Sequence, residues 1–108
     1  MKYTVNIPEE FWRSAKRLKQ KYTHDEFVEI IEDIRESIVI LAENGTLPPE
    51  YNDHLLRRSP YVNYNEYHVY DDDVLIIYYR HDKKLYLRFV EVVDHEGSTL
   101  NPVDMVKC

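Results

Sequence analysis

Val74-Leu75-Ile76-Ile77-Tyr78-Tyr79-Arg80, His81-Asp82-Lys83-Lys84 and Leu85-Tyr86-Leu87-Arg88-Phe89-Val90-Glu91-Val92-Val93 are consecutive, and their reading decides the fold. The first segment is apolar, β-branched and aromatic, and reads as a strand. The second is a polar turn. In the third, Leu85, Leu87 and Phe89 share one face at strand spacing. Two strands joined by so short a turn pair antiparallel. Strict alternation puts Arg88 and Glu91, three residues apart, on opposite faces.

Toward the N-terminus, 61–70 carries Tyr61, Tyr64, Tyr67 and Tyr70 and reads as a strand, or as a loop followed by one. Leu47 to Pro60 holds Pro48, Pro49, Asn52 and Arg57-Arg58-Ser59-Pro60, and reads as irregular. Before it lies a long amphipathic helix with Phe27, Ile30, Ile31, Ile34, Ile38 and Leu41 on one side. Thr23-His24-Asp25-Glu26 is a capping box at its start, and Asn44-Gly45 stops it. A first helix starts after Pro8, with Glu9 and Glu10 in its first turn and Phe11, Ala15, Leu18 and Tyr22 at helical spacing. In Met1 to Ile7, Tyr3, Val5 and Ile7 alternate as a short strand. The order predicts one α+β domain over 1–108: an N-terminal strand, then a two-helix hairpin packed on an antiparallel sheet of about four strands. The sheet's other face stays open for function. From about residue 98 the tail shows no periodicity.

The chain has 108 residues, enough for one modest core. At 44% apolar and 31% charged, its composition is that of a soluble globular protein. Net charge is −6, which disfavours general nucleic-acid binding. Yet residues 1–22 carry six Lys/Arg against two Glu, and the remainder eight against eighteen acids. The basic residues Arg13, Lys16 and Arg17 on the first helix read either as a solvated face or as a face tracking phosphates of a large RNA. Cys108, the single cysteine, has no internal partner. The absence of paired cysteines, of a leader-like segment and of a spanning apolar run predicts a cytoplasmic protein with no membrane partner.

Three histidines stand beside carboxylates: His54 after Asp53, His68 before Asp71-Asp72-Asp73, and His95 after Asp94. Imidazole suits acid/base work near neutral pH. Each also has a structural reading, as a loop hydrogen bond, a strand partner or a solvated residue. With an Asp they are also metal ligands by type, though their spacing does not require an ion.

The element order, together with Leu47-Pro48, Tyr51, Asp53-His54, His68, Asp73, Leu75-Ile76-Ile77-Tyr78 and His95, resembles the RelE/ParE toxin superfamily, and within it the YafQ-type toxins. The resemblance implies a toxin of a type II toxin–antitoxin system, acting as a ribosome-dependent messenger-RNA endoribonuclease with no cofactor and no metal. Its partners would be a cognate antitoxin, the ribosome and messenger RNA. A base would take the proton of a ribose 2′-hydroxyl, which attacks the neighbouring phosphate, and an acid would protonate the leaving 5′-oxygen. The resemblance places His54, His68, Asp73 and His95 in the catalytic group. His68 or His54 would be the base, His95 the acid, and Asp73 would orient or tune one of them. Spacing from His68 favours Asp72, but strand register favours Asp73. Arg57 and Arg58, with Arg13, Lys16 and Arg17, are the expected phosphate contacts, and some of the tyrosines would stack on bases.

Departures from the pattern are specific. Glu91 stands where the family carries an arginine, Val93 where it carries a glycine, and Thr99-Leu100 where an aromatic follows the histidine. A carboxylate near the phosphate is repulsive. The second expectation is therefore a catalytically weak or inactive relative that acts by binding an antitoxin or other protein. A gyrase-directed, ParE-like toxin has no role for the histidines.

Overall fold

The computed structural model describes residues 2–57, 59–70 and 73–94. Strand β1 (Thr4–Asn6) leads into helix α1 (Glu9–Lys16), which tightens into a 3-10 turn (Arg17–Gln20). Helix α2 (His24–Asn44) follows. A second 3-10 turn (Pro49–Tyr51) precedes β2 (His54–Leu55), β3 (Asn65–Val69), β4 (Val74–His81) and β5 (Tyr86–Asp94). The strands form one sheet in the order β1-β5-β4-β3-β2.

Local chemistry sets the helix ends. The Thr23 side chain accepts from the Glu26 N–H (3.2 Å), and Glu26 accepts from the Thr23 N–H (2.8 Å), so two otherwise unpaired donors are satisfied. The backbone hydrogen bond from Thr23 holds the Glu26 carboxyl below its ordinary pKa. Gly45 ends α2 at φ 76°, the left-handed region where a glycine costs least. A side chain there would also meet the Tyr3 ring, 2.5 Å from the new Cβ.

Both helices cover one face. Phe11 of α1 meets Phe89 of β5 edge-on at 5.5 Å. The Ser14 hydroxyl accepts from the Val92 N–H (2.8 Å), a donor on the side of β5 that β1 no longer reaches, since β1 pairs only with Tyr86–Arg88. Above β3, the hydroxyls of Tyr67 and Ser37 of α2 meet at 2.6 Å. Ile30, Ile34, Leu41, Val74, Ile76, Tyr78 and Leu87 fill the layer between.

Three details differ from the sequence expectation. The sheet has five strands, because β2 joins its edge by pairing His54 with Glu66 and Leu55 with Asn65. A two-residue strand has too few positions to show a period. The sheet is mixed, because β1 lies parallel to β5. The short-turn argument that sets β3, β4 and β5 antiparallel does not apply to β1, whose link to β5 passes through the whole helix layer. Finally, the β4–β5 register shifts: Ile77 pairs with Glu91, but Tyr78 pairs with Phe89. Val90 is the extra residue of a β-bulge. Alternation restarts across it, so Arg88 and Glu91 share the open face rather than pointing apart.

Candidate active site on the open face of the sheet

His54 and His68 come together on the open face, with ring centroids 6.0 Å apart. The β2–β3 pairing sets Glu66 opposite His54, and Glu66 and His68, two apart on β3, share that face. His54 Nε2 lies 3.3 Å from the Glu66 carboxylate, and its Nδ1 lies 2.8 Å from the Asn52 carbonyl oxygen. Asn52 adopts a left-handed conformation (φ 52°), which aims that carbonyl at the ring. Both ring nitrogens thus face acceptor oxygens, which favours the protonated imidazolium. Accordingly the Glu66 carboxylate raises the His54 pKa above its ordinary value, aided by the Asn52 carbonyl and opposed by burial. Glu66 is 3% exposed, and a carboxylate that deep needs a positive partner.

Glu66 was not among the residues singled out by sequence. The available signal was its i, i+2 spacing from His68 on one strand. Asp53, by contrast, turns inward: Tyr78 Oη donates to it at 2.6 Å, and Asn65 Nδ2 lies 3.4 Å from its other oxygen. It anchors the loop that carries His54, and its charge also helps raise the His54 pKa. Asp73 is exposed on the turn before β4, where its N–H bonds the Tyr70 carbonyl (3.1 Å). Among the described residues, Glu66 is the carboxylate set against the His54 ring. His95 and Arg58 lie outside the described residues, as do Asp72 and the tail.

A second group occupies the β5 end of the same face. Glu91 accepts from Tyr61 Oη (2.9 Å) and pairs with Arg17 (3.3 Å). Burial, then the Glu91 carboxylate, pushes the Tyr61 hydroxyl up to about 12. Arg88 donates to Tyr64 Oη (2.7 Å), and Tyr64 packs against Tyr61 (5.6 Å) and Tyr79 (5.5 Å). Of the tyrosines expected to stack on bases, Tyr61 and Tyr64 reach this face. Tyr67 is core, and Tyr70 packs on Tyr22 and bonds Glu26. Of the expected phosphate contacts, Arg17 reaches the face but engages Glu91. Arg13 pairs with Glu9 (3.3 Å), while Lys16 and Arg57 are exposed.

His54, Glu66 and His68 could also hold a divalent ion, since one ligand atom from each lies within 4.8 Å of the others. Two imidazoles and a carboxylate are a ligand set for zinc or a related metal. In the set weighed from sequence an aspartate supplied the carboxylate.

No curated protein matches this chain in sequence. Among solved structures, the Escherichia coli DinJ–YafQ complex is similar with a TM-score of 0.67 and 23% identity, over 92% of this chain and 98% of that one. A YafQ mutant from E. coli superimposes with a TM-score of 0.68 and 19% identity, over 92% and 99%. A metal-bound toxin from Helicobacter pylori gives 0.56 and 23%, over 91% and 98%. At these identities the likeness concerns the fold. Residues 3–98 match the family described as bacterial toxin of type II toxin–antitoxin system, YafQ, and the chain belongs to that family.

Proposed function

We propose that this protein is a ribosome-dependent messenger-RNA endoribonuclease, held inactive in the cytoplasm by a cognate antitoxin. The observation that carries this reading is the pair of imidazoles on the open face, one of them favoured in its protonated form by Glu66 and Asn52. An imidazolium is an acid or a cationic stabiliser and has no lone pair with which to take a proton. Of the two candidates for base, the role therefore falls to His68, which removes the proton of the ribose 2′-hydroxyl. The freed oxygen attacks the adjacent phosphorus, His54 steadies the charge of the phosphorane, and the 5′-oxygen leaves with a proton from His95. The products are a 2′,3′-cyclic phosphate and a 5′-hydroxyl. Asp73 has a supporting part in this proposal, as a group tuning the site from the turn.

The competing reading, a fold kept only for protein binding, draws on Glu91, which the bulge leaves on the open face. Arg17 and Tyr61 engage both of its oxygens, so the site need not repel a phosphate. Family membership and the DinJ–YafQ complex support a protein partner under either reading. The test is incubation of purified protein with ribosomes stalled on a defined message, beside His68→Ala and His95→Ala and with free RNA as control. The expected result is ribosome-dependent cuts carrying cyclic-phosphate ends, absent from both variants. Intact message at saturating folded protein overturns the nuclease reading.

A further inference from the structure

We infer that Arg88, positioned by Tyr64, is the phosphate-binding cation of the open face, engaging the RNA strand beside the residue being cut; this rests on the endoribonuclease reading above. A site that gathers a polyanion and builds negative charge on phosphorus needs a fixed positive group. The family pattern places an arginine where this chain has Glu91, and strict alternation would put Arg88 on the far side of the strand. The bulge at Val90 changes this, because Arg88 pairs with Tyr79 and Glu91 with Ile77, both on the open face.

The two side chains are held differently. Glu91 is engaged on both oxygens, by Tyr61 at 2.9 Å and Arg17 at 3.3 Å. Arg88 is half-buried, and its hydrogen-bond partner among the described residues is a neutral phenol, Tyr64 Oη at 2.7 Å. Its guanidinium also lies 5.9 Å from the centroid of that ring. One donor is used to fix the group, its charge is not spent on a carboxylate among the described residues, and the remaining donors suit a phosphate. Three other described arginines are committed, while Arg57 is exposed. Arg80 binds Asp82 (3.0 Å) and the Gly45 carbonyl (2.7 Å), Arg17 binds Glu91, and Arg13 binds Glu9. Location agrees as well. Tyr64 stands two residues before Glu66, about 7 Å along an extended chain, so Arg88 serves a phosphate next to the His54–Glu66–His68 group.

The test is binding of a short, single-stranded, non-cleavable 2′-O-methyl RNA followed by fluorescence anisotropy over a salt series. Arg88→Gln, Arg88→Lys and Tyr64→Phe are compared, with thermal midpoints confirming folding. For Arg88→Gln the slope of log affinity against log salt becomes shallower by about 0.7, the value for one single-strand phosphate contact. Arg88→Lys retains the wild-type slope, which a merely structural arginine would not require, and shows that charge is read even if the glutamine variant folds poorly. Tyr64→Phe keeps the slope but weakens binding several-fold through loss of positioning. An unchanged slope in folded Arg88→Gln overturns the inference, as does an Arg88→Lys slope equal to that of the glutamine variant. Cleavage is scored separately. Cutting without an Arg88-dependent slope leaves the nuclease reading standing and this inference lost. An Arg88-dependent slope without cutting does the reverse.

Discussion

Replacing Asp53 by alanine will destabilise this protein more than removing the hydroxyl that Asp53 binds. Tyr78 is 0% exposed, stacks on Phe89 at 5.6 Å and meets Tyr67 at 5.5 Å. Its hydroxyl donates to the Asp53 carboxylate at 2.6 Å. Asp53→Ala removes a charge-assisted acceptor and strands a buried donor, at a cost of about 1.5–3 kcal/mol. Tyr78→Phe removes the donor but leaves a half-buried carboxylate that still reaches solvent and Asn65, at a cost of about 1 kcal/mol. For a domain of this size about 2 kcal/mol corresponds to a fall in Tm of roughly 8–12 °C. Urea titration of wild type, both single variants and the double variant closes a thermodynamic cycle, with an expected coupling of at least about 1 kcal/mol. The same Asp53→Ala protein, assayed well below its Tm, should cut message more slowly, because the loop presenting His54 has lost its anchor. Additive variants, or an Asp53→Ala protein within about 0.5 kcal/mol of wild type, would refute the claim that Asp53 anchors this loop.

Glu66→Gln should lower the His54 pKa, followed by the imidazole proton shifts in NMR across pH 5–9. Because Glu66 raises that pKa in the folded state, its contribution to stability is fully present below the unfolded histidine pKa and is lost as pH rises through the folded one. The variant should flatten that dependence, and identical titration in both proteins would remove Glu66 from the site. Gly45→Ala should cost at least about 1 kcal/mol, since alanine at positive φ is strained and its Cβ would press on the Tyr3 ring. A thermal melt unchanged by this substitution would contradict the packing of α2 against β1. Chelation with EDTA, after ribosomes are re-equilibrated in magnesium, should leave cleavage within about twofold of control if imidazoles carry the chemistry. Loss of activity restored by zinc would instead assign His54, Glu66 and His68 a catalytic metal.

Much of the fold was legible because it rests on local rules. Thr23 and Glu26 sit three apart and cap one another. Gly45 marks the end of α2, and Val74–His81 and Tyr86–Asp94 pair across a short turn. The nearness of His54 and His68 was also expected, although what carried it was a resemblance. Less legible was everything that depends on which strand lies beside which. Glu66 becomes the carboxylate of the site through the pairing of a two-residue strand with β3, and nothing in residues 54–55 announces a strand. Asp53, adjacent to His54, turns out to serve the core.

By itself the sequence determined the start of α1, both ends of α2, the β4–β5 hairpin, the apolar faces and the residue types available for acid/base work, because capping, turn chemistry and periodicity act over a few neighbouring residues. Only the tertiary structure decided that β1 runs parallel to β5 and that Glu66 faces His54. It alone decided that one extra residue at Val90 swings Arg88 onto the face of Glu91. A bulge and an edge pairing are choices between nearly equivalent hydrogen-bond registers. They are settled by the packing of α1 and α2 on the far face of the sheet, through contacts between residues distant in the chain.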